Sequence, residues 1–347
     1  MSNLAEVKEN HVISQQVPRY FPSVLVVGFV LLVVSIVASL ALGSRPVSLE
    51  EIMNGLFTTN PDSYGTNVVE KRVPRTVFSL LCGAALGVSG SLMQAVTRNP
   101  IADPSILGVN TGAALFVVAG IAFFNISTAG EYIWLALAGA LLTSFLVFGV
   151  GSMGRGGATP LKLLLAGAAT SAALSSLVIA IMIPRSYVMD QFRFWQVGSV
   201  GTADWSSVQL FIPFVLVGLS IAILSASALN AMALGDEMAT GLGVKTSTLR
   251  LIAAVAAVLL CGAATALAGP IGFVGLLATH LTRLLLGSNL RYLIPMSALA
   301  GAVVLTISDV CGRLIGRPGE LEVGVVTAFI GAPILIILAM KAKVRSI

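Results

Sequence analysis

Long apolar runs without a charge are the feature that most constrains what this chain can fold into. The first extends from Val24 to Leu42 and contains no charged residue. About 20 apolar residues in a helix cross a hydrocarbon core of about 30 Å, and only helices and closed barrels satisfy their backbone in lipid. The runs show no strand-like alternation, so they predict helices. A cleaved signal peptide is disfavoured because its apolar core would span only about 7–15 residues.

Ten apolar segments are separated by Gly, Pro and charged residues. They cover 23–42, 76–97, 107–124, 131–152, 160–183, 206–228, 248–268, 270–285, 292–313 and 323–341. Only 10% of the 347 residues are charged, whereas soluble domains carry about 25%. We therefore expect an all-α polytopic membrane protein of about ten transmembrane helices, which occupies 23–341 between tails at 1–22 and 342–347.

An even number of spans places both termini on one side of the membrane, and the charges indicate which side. If the termini are cytoplasmic, twelve of the twenty Lys and Arg fall on that side and eight on the other. This weak excess agrees with the positive-inside rule. The outer exceptions gather around Arg72–Arg75 and Arg313–Arg317, where a functional reason is needed. Because the cations are otherwise scattered singly, no nucleic-acid partner is expected.

Acidic residues that could couple transport to an ion gradient are scarce within the segments. Asp309 is the deepest, and it lies four residues from Arg313 near the end of its segment. A proton- or sodium-coupled carrier is expected to place acids near the middle of its spans. The chain also lacks the GxxxxGK[ST] loop that binds ATP in P-loop proteins. The energy for transport is therefore expected to come from another protein.

Covalent chemistry and metal binding are both disfavoured. Gly87–Gly90 is a GxSG string, and His280 lies on another segment, as an intramembrane serine protease would require. Small-residue strings such as Gly83–Gly87 are, however, common where membrane helices pack closely. We expect no catalytic residue and no metal site. The three cysteines lie in apolar segments without a CxxC pair and are expected to be packing residues: Cys82, Cys261 and Cys311.

Two polar segments are predicted to form short helices outside the spans. Ser48–Glu51, after the first span, has the spacing of a capping box, which predicts a helix on the membrane surface. Between the sixth and seventh spans, Asp236 and Glu237 would begin a helix that Gly241 or Gly243 would end. This second segment is either an ordinary linker or a contact for a partner protein on the cytoplasmic side.

A faint internal repeat is also present. Cys82–Gly90 and Cys261–Gly269 share five of their nine residues. They fall on the second and seventh spans, which would run in opposite directions, as the halves of inverted-repeat transporters do. Chance similarity among small residues is an open alternative.

Eleven short motifs resemble, in the same order along the chain, the FecCD permease family. They are Arg72–Arg75, Gly83–Gly90, Arg98–Pro104, Leu107–Val109, Leu163–Gly167, Ala233–Asp236, Gly241–Val244, Gly269–Gly275, His280–Arg283, Gly319–Gly324 and Gly331–Pro333. The likeness extends from about residue 70 to 341. One departure stands out, because Thr279 occupies a position that is often Pro in the family. The stretch Thr159–Lys162 matches the inner gate of relatives, but that stretch is too variable within the family to identify a gate residue here.

The resemblance implies a type II permease subunit of an ATP-binding cassette (ABC) importer, which is not itself an enzyme. It implies several partners: an ATPase dimer on the cytoplasmic side, a second permease subunit (identical or paralogous), an extracytoplasmic substrate-binding protein and the lipid bilayer. No cofactor is expected on this chain, since ATP binds to the partners. The implied substrate is a ferric siderophore, with haem and vitamin B12 as alternatives. A secondary carrier driven by an ion gradient is the alternative from another class.

The resemblance also assigns roles to residues of this chain. Arg72, Arg75 and Arg313 match arginines that pair with glutamates of the binding protein, where such pairs steer and orient docking. The segment at about 235–244 matches the coupling helix that contacts the ATPase. Its expected contact residues are Leu234, Gly235, Asp236, Glu237, Gly241, Leu242 and Gly243. The expected location is the cytoplasmic membrane, with both termini in the cytoplasm.

Overall fold

The structure, a computed structural model, describes residues 20–43, 45–57, 64–153 and 159–341. Regular secondary structure within these ranges is entirely helical. The helices are α1 (Phe21–Ala41), α2 (Leu49–Phe57), α3 (Tyr64–Thr97), α4 (Val109–Phe124), α5 (Ala129–Ser152), α6 (Pro160–Met182), α7 (Ser186–Gln196), α8 (Trp205–Met232), α9 (Asp236–Gly241), α10 (Thr246–Ala268), α11 (Val274–Leu286), α12 (Leu290–Ile315) and α13 (Val323–Lys341), with a 3₁₀ turn at Pro104–Leu107. Most of the predicted tail at 1–22, and all of that at 342–347, lies outside the described residues.

Each of the ten predicted spans corresponds to one apolar helix, which confirms the predicted fold class. Seven of these helices are long and apolar enough to cross a membrane, and α4, α11 and the apolar part of α13 are shorter. The short helices α2 and α9 were also predicted. Two boundaries were wrong. α3 begins at Tyr64, so Arg72 and Arg75 lie in a helix rather than in a loop. α11 begins only at Val274, after a non-helical stretch that includes Gly269 and Phe273 at positive φ.

Polar side chains determine where several helices begin. Asp204 accepts a hydrogen bond from the Ser207 backbone at 2.9 Å and so caps α8. Hydrogen bonds from Ser207 and Ser206 lower the pKa of Asp204 to about 2, because they stabilise its charged form. The predicted capping box before α2 is present, since Ser48 N–H donates to the Glu51 carboxylate at 2.8 Å and Glu51 N–H to the Ser48 hydroxyl at 3.2 Å.

α3 is the central helix, and its glycines allow other backbones to approach it. A Cβ atom at Gly83 or Gly87 would overlap the carbonyl oxygens of Gly301 and Ser297 in α12. The string that resembled a protease motif is therefore a packing surface, as its small residues indicated. Thr279 of α11, which stands at the position that is often Pro in the family, donates to the Gly87 carbonyl at 3.2 Å.

The two copies of the faint repeat lie in α3 and α10, which pack together. Ser89 of α3 donates its hydroxyl to the Ala257 carbonyl of α10. Cys82 and Cys261 are buried free thiols within this packing, and Cys311 is a half-buried free thiol in α12. An inverted repeat remains a prediction.

Contacts between the connecting segments sort them into two ends of the bundle. At one end, Asn230 near the end of α8 donates to Asn289, which precedes α12, at 2.8 Å. At the other, the Gly324 backbone at the start of α13 donates to Gly198, which follows α7, at 2.9 Å. We call these the inner and outer ends, after the predicted orientation. The predicted docking arginines lie at the outer end, and the predicted coupling segment lies at the inner end.

Candidate functional site

Three arginines at the outer end converge on the backbone where α1 ends. The last carbonyl groups of a helix have no partner within it, and they carry the negative end of the helix dipole. The arginines donate to acceptors in this turn and just beyond it: Arg313 to Ser39 at 2.9 Å, Arg72 to Leu40 at 2.7 Å and Arg317 to Gly43 at 3.1 Å. These bonds hold the end of α1 against α3 and α12.

A buried carboxylate connects two of the outer-end helices. Asp309 of α12, only 3% exposed, receives two hydrogen bonds from Arg75 of α3, at 2.7 and 3.2 Å. Arg313, one turn further along α12, pairs with Asp309 at 3.0 Å. Arg75 also reaches Glu320 at 2.7 Å. The two positive and two negative charges balance, which is the arrangement that makes burial of ionised groups tolerable.

The predicted docking arginines are mostly enclosed in this conformation. Arg313 is 1% exposed and Arg72 is 8% exposed. The Arg75 side chain is 12% exposed, and its partner Glu320 is 37% exposed. A direct pair with a docked protein needs a side chain that reaches the surface, and of the three predicted arginines Arg75 comes nearest to it. The docking role of Arg72, Arg75 and Arg313 remains a prediction.

The predicted coupling segment at the inner end folds as the short helix α9. Asp236 and Glu237 begin it, as the sequence indicated. Ala239, on the inner face of this helix, is fully buried. Leu234, just before the helix, is half-exposed, and Met238 and Leu242 also face outward. A rigid turn of helix thus presents apolar side chains at the end of a membrane bundle, where exposed apolar groups indicate a contact surface.

The ends of this segment are set by Gly235 and Gly243. Both have positive φ, 113° and 82°, a region that favours glycine. Gly241 is the last helical residue, and its φ lies outside the left-handed region. Of the two glycines proposed to end the helix, Gly243 is therefore the one whose backbone conformation requires glycine. A Cβ atom at Gly241 would meet no other atom within 4 Å.

Two arginines join α9 to neighbouring helices through one carboxylate. Arg98, which follows α3, donates to Asp236 at 2.6 Å, and Arg250 of α10 donates to its two oxygens at 2.8 and 2.9 Å. Arg98 also donates to the carbonyl of Met232, the last residue of α8, at 2.5 Å.

Asp103 lies in the same inner connection as Arg98. It caps the 3₁₀ turn by accepting a hydrogen bond from Ser105, and burial raises the pKa of its carboxyl group.

Two helices that bury little of their surface differ in what they expose. α1 exposes large aliphatic and aromatic side chains, among them Val26, Phe29 and Val34. In the most apolar stretch of each helix, 17% of the residues are buried in α1 and only 11% in α6. Its middle turns expose mainly small residues: Ala168, Ala169, Ala172, Ala173, Ser175 and Ser176. Large apolar groups suit lipid, whereas small and hydroxyl side chains are typical of helix faces that meet other protein.

Comparison with known proteins agrees with this architecture. The sequence profile of the FecCD transport family matches residues 31–341. The chain belongs to the FecCD transport family. It is 42% identical over 311 residues to the ferric enterobactin transport system permease protein FepD of Escherichia coli, which covers 90% of this chain and 93% of that protein.

Another relative of this FecCD permease and a solved structure are also transporter proteins of the ABC or iron-import type. The iron(3+)-hydroxamate import system permease protein FhuB of Bacillus subtilis is 40% identical over 322 residues, covering 92% of this chain and 83% of the relative. Among solved structures, a metal-chelate type ABC transporter in an inward-facing conformation superposes with a TM-score of 0.80 at 29% identity, covering 92% of this chain and 99% of its own. The chain is therefore a multi-pass membrane permease subunit of the ABC transporter type.

Sequence reasoning missed three charged residues of this permease that the structure brings into the two sites. Arg250 was counted only as an inner cation, Arg98 only as an inner cation and part of a motif, and Glu320 only as part of a motif. One signal was available at the inner end, where Asp236 begins a short segment and two isolated arginines flank the adjoining spans. No comparable signal existed for Glu320, because its partner Arg75 is 245 residues away.

Proposed function

We propose that this FecCD permease imports a ferric siderophore across the cytoplasmic membrane by alternating access, driven by ATP hydrolysis on separate subunits. The likeness to proteins named for ferric enterobactin and iron(3+)-hydroxamate supports this substrate class. Haem and vitamin B12 are the alternatives within the same architecture. The chain itself would bind no cofactor and perform no covalent step.

The observation that best supports coupling to ATP hydrolysis is the exposed apolar surface formed by α9 and the residues just before and after it. Leu234, Met238 and Leu242 are 46%, 61% and 64% exposed at the inner end. Such groups at the end of a bundle are better explained by a protein partner than by solvent. We assign that partner as the ATPase dimer, which would move α9 when ATP binding draws its two subunits together.

The exposed small-residue face of α6 supports a second permease subunit. Two copies that approach along this face, or a copy and a paralogue, would enclose a path between them. Because the middle turns of α6 expose alanines and serines rather than large side chains, a bulky chelate could pass this part of the helix with few specific contacts. Recognition of the chelate would then rest mainly on the binding protein, which would dock at the outer end on Arg72, Arg75 and Arg313.

Substrate class can be tested with the complete transporter. The permease would be co-expressed with an ATPase, a second permease and a binding protein of the same type of importer, and the complex reconstituted in liposomes with ATP. Labelled ferric catecholate, ferric hydroxamate, ferric citrate, haem and cobalamin would be supplied in turn. We expect one of the ferric chelates to accumulate. Accumulation of haem or cobalamin alone would contradict the proposal.

Orientation can be tested separately. The weak excess of cations at the inner end supports a cytoplasmic inner end and cytoplasmic termini. A reporter that is active only outside the cytoplasm, fused at Ile347, should give no signal, and a reporter active only in the cytoplasm should give one. The reverse pattern would invert the assignment of both candidate sites.

A further inference from the structure

We infer that Arg98, Asp236 and Arg250 form a clasp that ties the coupling helix α9 to α3 and α10 and passes its movement to them. The inference rests on the proposed coupling of α9 to an ATPase. One carboxylate serves both arginines: Asp236 accepts from Arg98 at 2.6 Å and from Arg250 at 2.8 and 2.9 Å. The three residues come from three separate elements at the inner end.

The clasp matters because the rest of the attachment of α9 is slight. The helix has six residues and lies between Gly235 and Gly243, whose positive φ values mark turns on both sides. A Cβ at either glycine would meet nothing within 4 Å, so neither position faces a packed neighbour in that direction. Buried Ala239 is the apolar anchor. The paired Asp236 supplies the polar anchor, and through Arg98 it connects α9 to the end of α3.

The helices that the clasp engages are suited to transmit a displacement. α3 extends from Tyr64 to Thr97, so at 1.5 Å per residue about 35 Å separates Arg75 at the outer end from Arg98 at the inner end. Its packing against α12 is backbone to backbone, through Gly83 and Gly87. α10 is joined to α3 by the hydrogen bond from Ser89 to Ala257. A pull on Asp236 would thus reach the helix that carries the outer ion network.

The exposure of the clasp distinguishes it from a purely structural ion pair. The side chains of Arg98, Asp236 and Arg250 are 40%, 45% and 29% exposed. Pairs this accessible to water add little to folding stability, so they can separate and re-form without unfolding the bundle. Arg98 also has positive φ, 52°, a conformation uncommon for a residue other than glycine. We therefore expect loss of the clasp to affect coupling far more than folding.

A first experiment tests whether the clasp holds α9 in place, and it requires no transport. Hydrogen–deuterium exchange would be measured on the purified chain in detergent for wild type, Arg250→Gln and Asp236→Asn. Arg291→Gln is the matched control, because this inner-end arginine bonds to Ser227 at 3.0 Å outside the clasp. Amide protection across Ala239–Val244 should fall in both clasp variants and stay unchanged in the control. Equal protection in all four proteins would overturn the clasp, whatever the substrate proves to be.

A second experiment reads its role in coupling. ATPase activity and ferric-chelate uptake would be measured in the reconstituted transporter for Arg250→Gln, which leaves the exposed surface of α9 intact. Stimulation of ATPase by loaded binding protein should fall at least about fivefold, the lower range for coupling between sites, while the ATPase still co-purifies. Wild-type stimulation in Arg250→Gln, or an equal loss in Arg291→Gln, would overturn the inference. A wild-type complex that fails to take up any ferric chelate would instead count against the proposed function.

Discussion

The outer and inner ends of this permease both join arginines to carboxylates, but they bury them to opposite degrees. At the outer end Arg313 and Asp309 are almost fully enclosed, and the neighbouring arginines satisfy carbonyl groups at the end of α1. At the inner end Asp236 and its two arginines are between about one third and one half exposed. The same chemistry is thus fixed at one end and accessible to water at the other.

This difference in burial suits the two networks to different tasks, one to a fixed attachment and the other to contacts that change. Removing one partner from a buried ion pair leaves an uncompensated charge and is costly, whereas exposed pairs exchange readily with water. The outer network is suited to hold α1, a helix that otherwise exposes most of its surface, in place. The inner one is suited to make and break contacts during a cycle. Three substitutions, in descending order of expected effect, test the roles of the two ends.

The largest effect is expected for Arg313→Gln. The change leaves Asp309 with one arginine fewer and removes two hydrogen bonds from the carbonyls of α1. Breaking a buried pair typically costs about 3–5 kcal/mol. Thermal unfolding in detergent should show a clearly lower midpoint.

The matched control is Arg193→Gln, in α7. This arginine pairs with Asp190 at 3.6 Å, and both side chains are about 60% exposed, so the loss should stay below about 1 kcal/mol. Equal unfolding midpoints for the two variants would show that the buried outer network contributes no more to stability than an exposed ion pair does.

An intermediate effect is expected for Gly243→Val. A β-branched residue in the left-handed region costs about 1–2 kcal/mol, so α9 would end differently and seat poorly on its partner. Uptake and co-purification of the ATPase should both decrease. Gly287→Val is the control, since Gly287 has a similar φ of 79°, equally open surroundings and a different inner connection. Equal loss of uptake in both variants would assign the effect to strain in general.

The smallest effect is expected for Glu320→Gln at the outer end. Glu320 pairs with Arg75 at 2.7 Å, and it is the more exposed of the two. If a carboxylate of the binding protein docks on Arg75, removal of Glu320 frees one side of that guanidinium. Affinity for the loaded binding protein should rise, by up to about fivefold for a contribution of up to about 1 kcal/mol.

Glu322→Gln is the control, because it removes the same charge from the same loop. Affinity can be measured at low salt, where exposed charges act most strongly. An unchanged affinity in Glu320→Gln, or an equal rise in Glu322→Gln, would show that docking does not compete for Arg75.

The sequence predicted the helices well because membrane spans carry their own signal. Each apolar run satisfies its backbone internally, so length and composition suffice to locate it. The capping box at Ser48 and the helix begun by Asp236 were likewise local. The start of α3 was missed because Tyr64–Arg75 is polar enough to resemble a loop and contains Pro74.

The environment of the site residues could not be predicted from the sequence in the same way. Arg72 and Arg313 stood out as outer cations, but their burial depends on α1, which is distant in the sequence. Asp309 was recognised as a neighbour of Arg313, whereas its pairing with Arg75 spans 234 residues. The choice between Gly241 and Gly243 rested on a backbone angle that composition does not encode.

The central claim is that this permease works only with ATP hydrolysis on partner subunits, and uptake into liposomes tests it most directly. The complete complex would be supplied with loaded binding protein and labelled ferric chelate, with ATP, with a non-hydrolysable analogue, or with ionophores that collapse proton and sodium gradients. The account predicts uptake that requires hydrolysable ATP and persists when the ion gradients are collapsed. Uptake by the permease without its ATPase, abolished by the ionophores, would contradict it and identify an ion-coupled carrier.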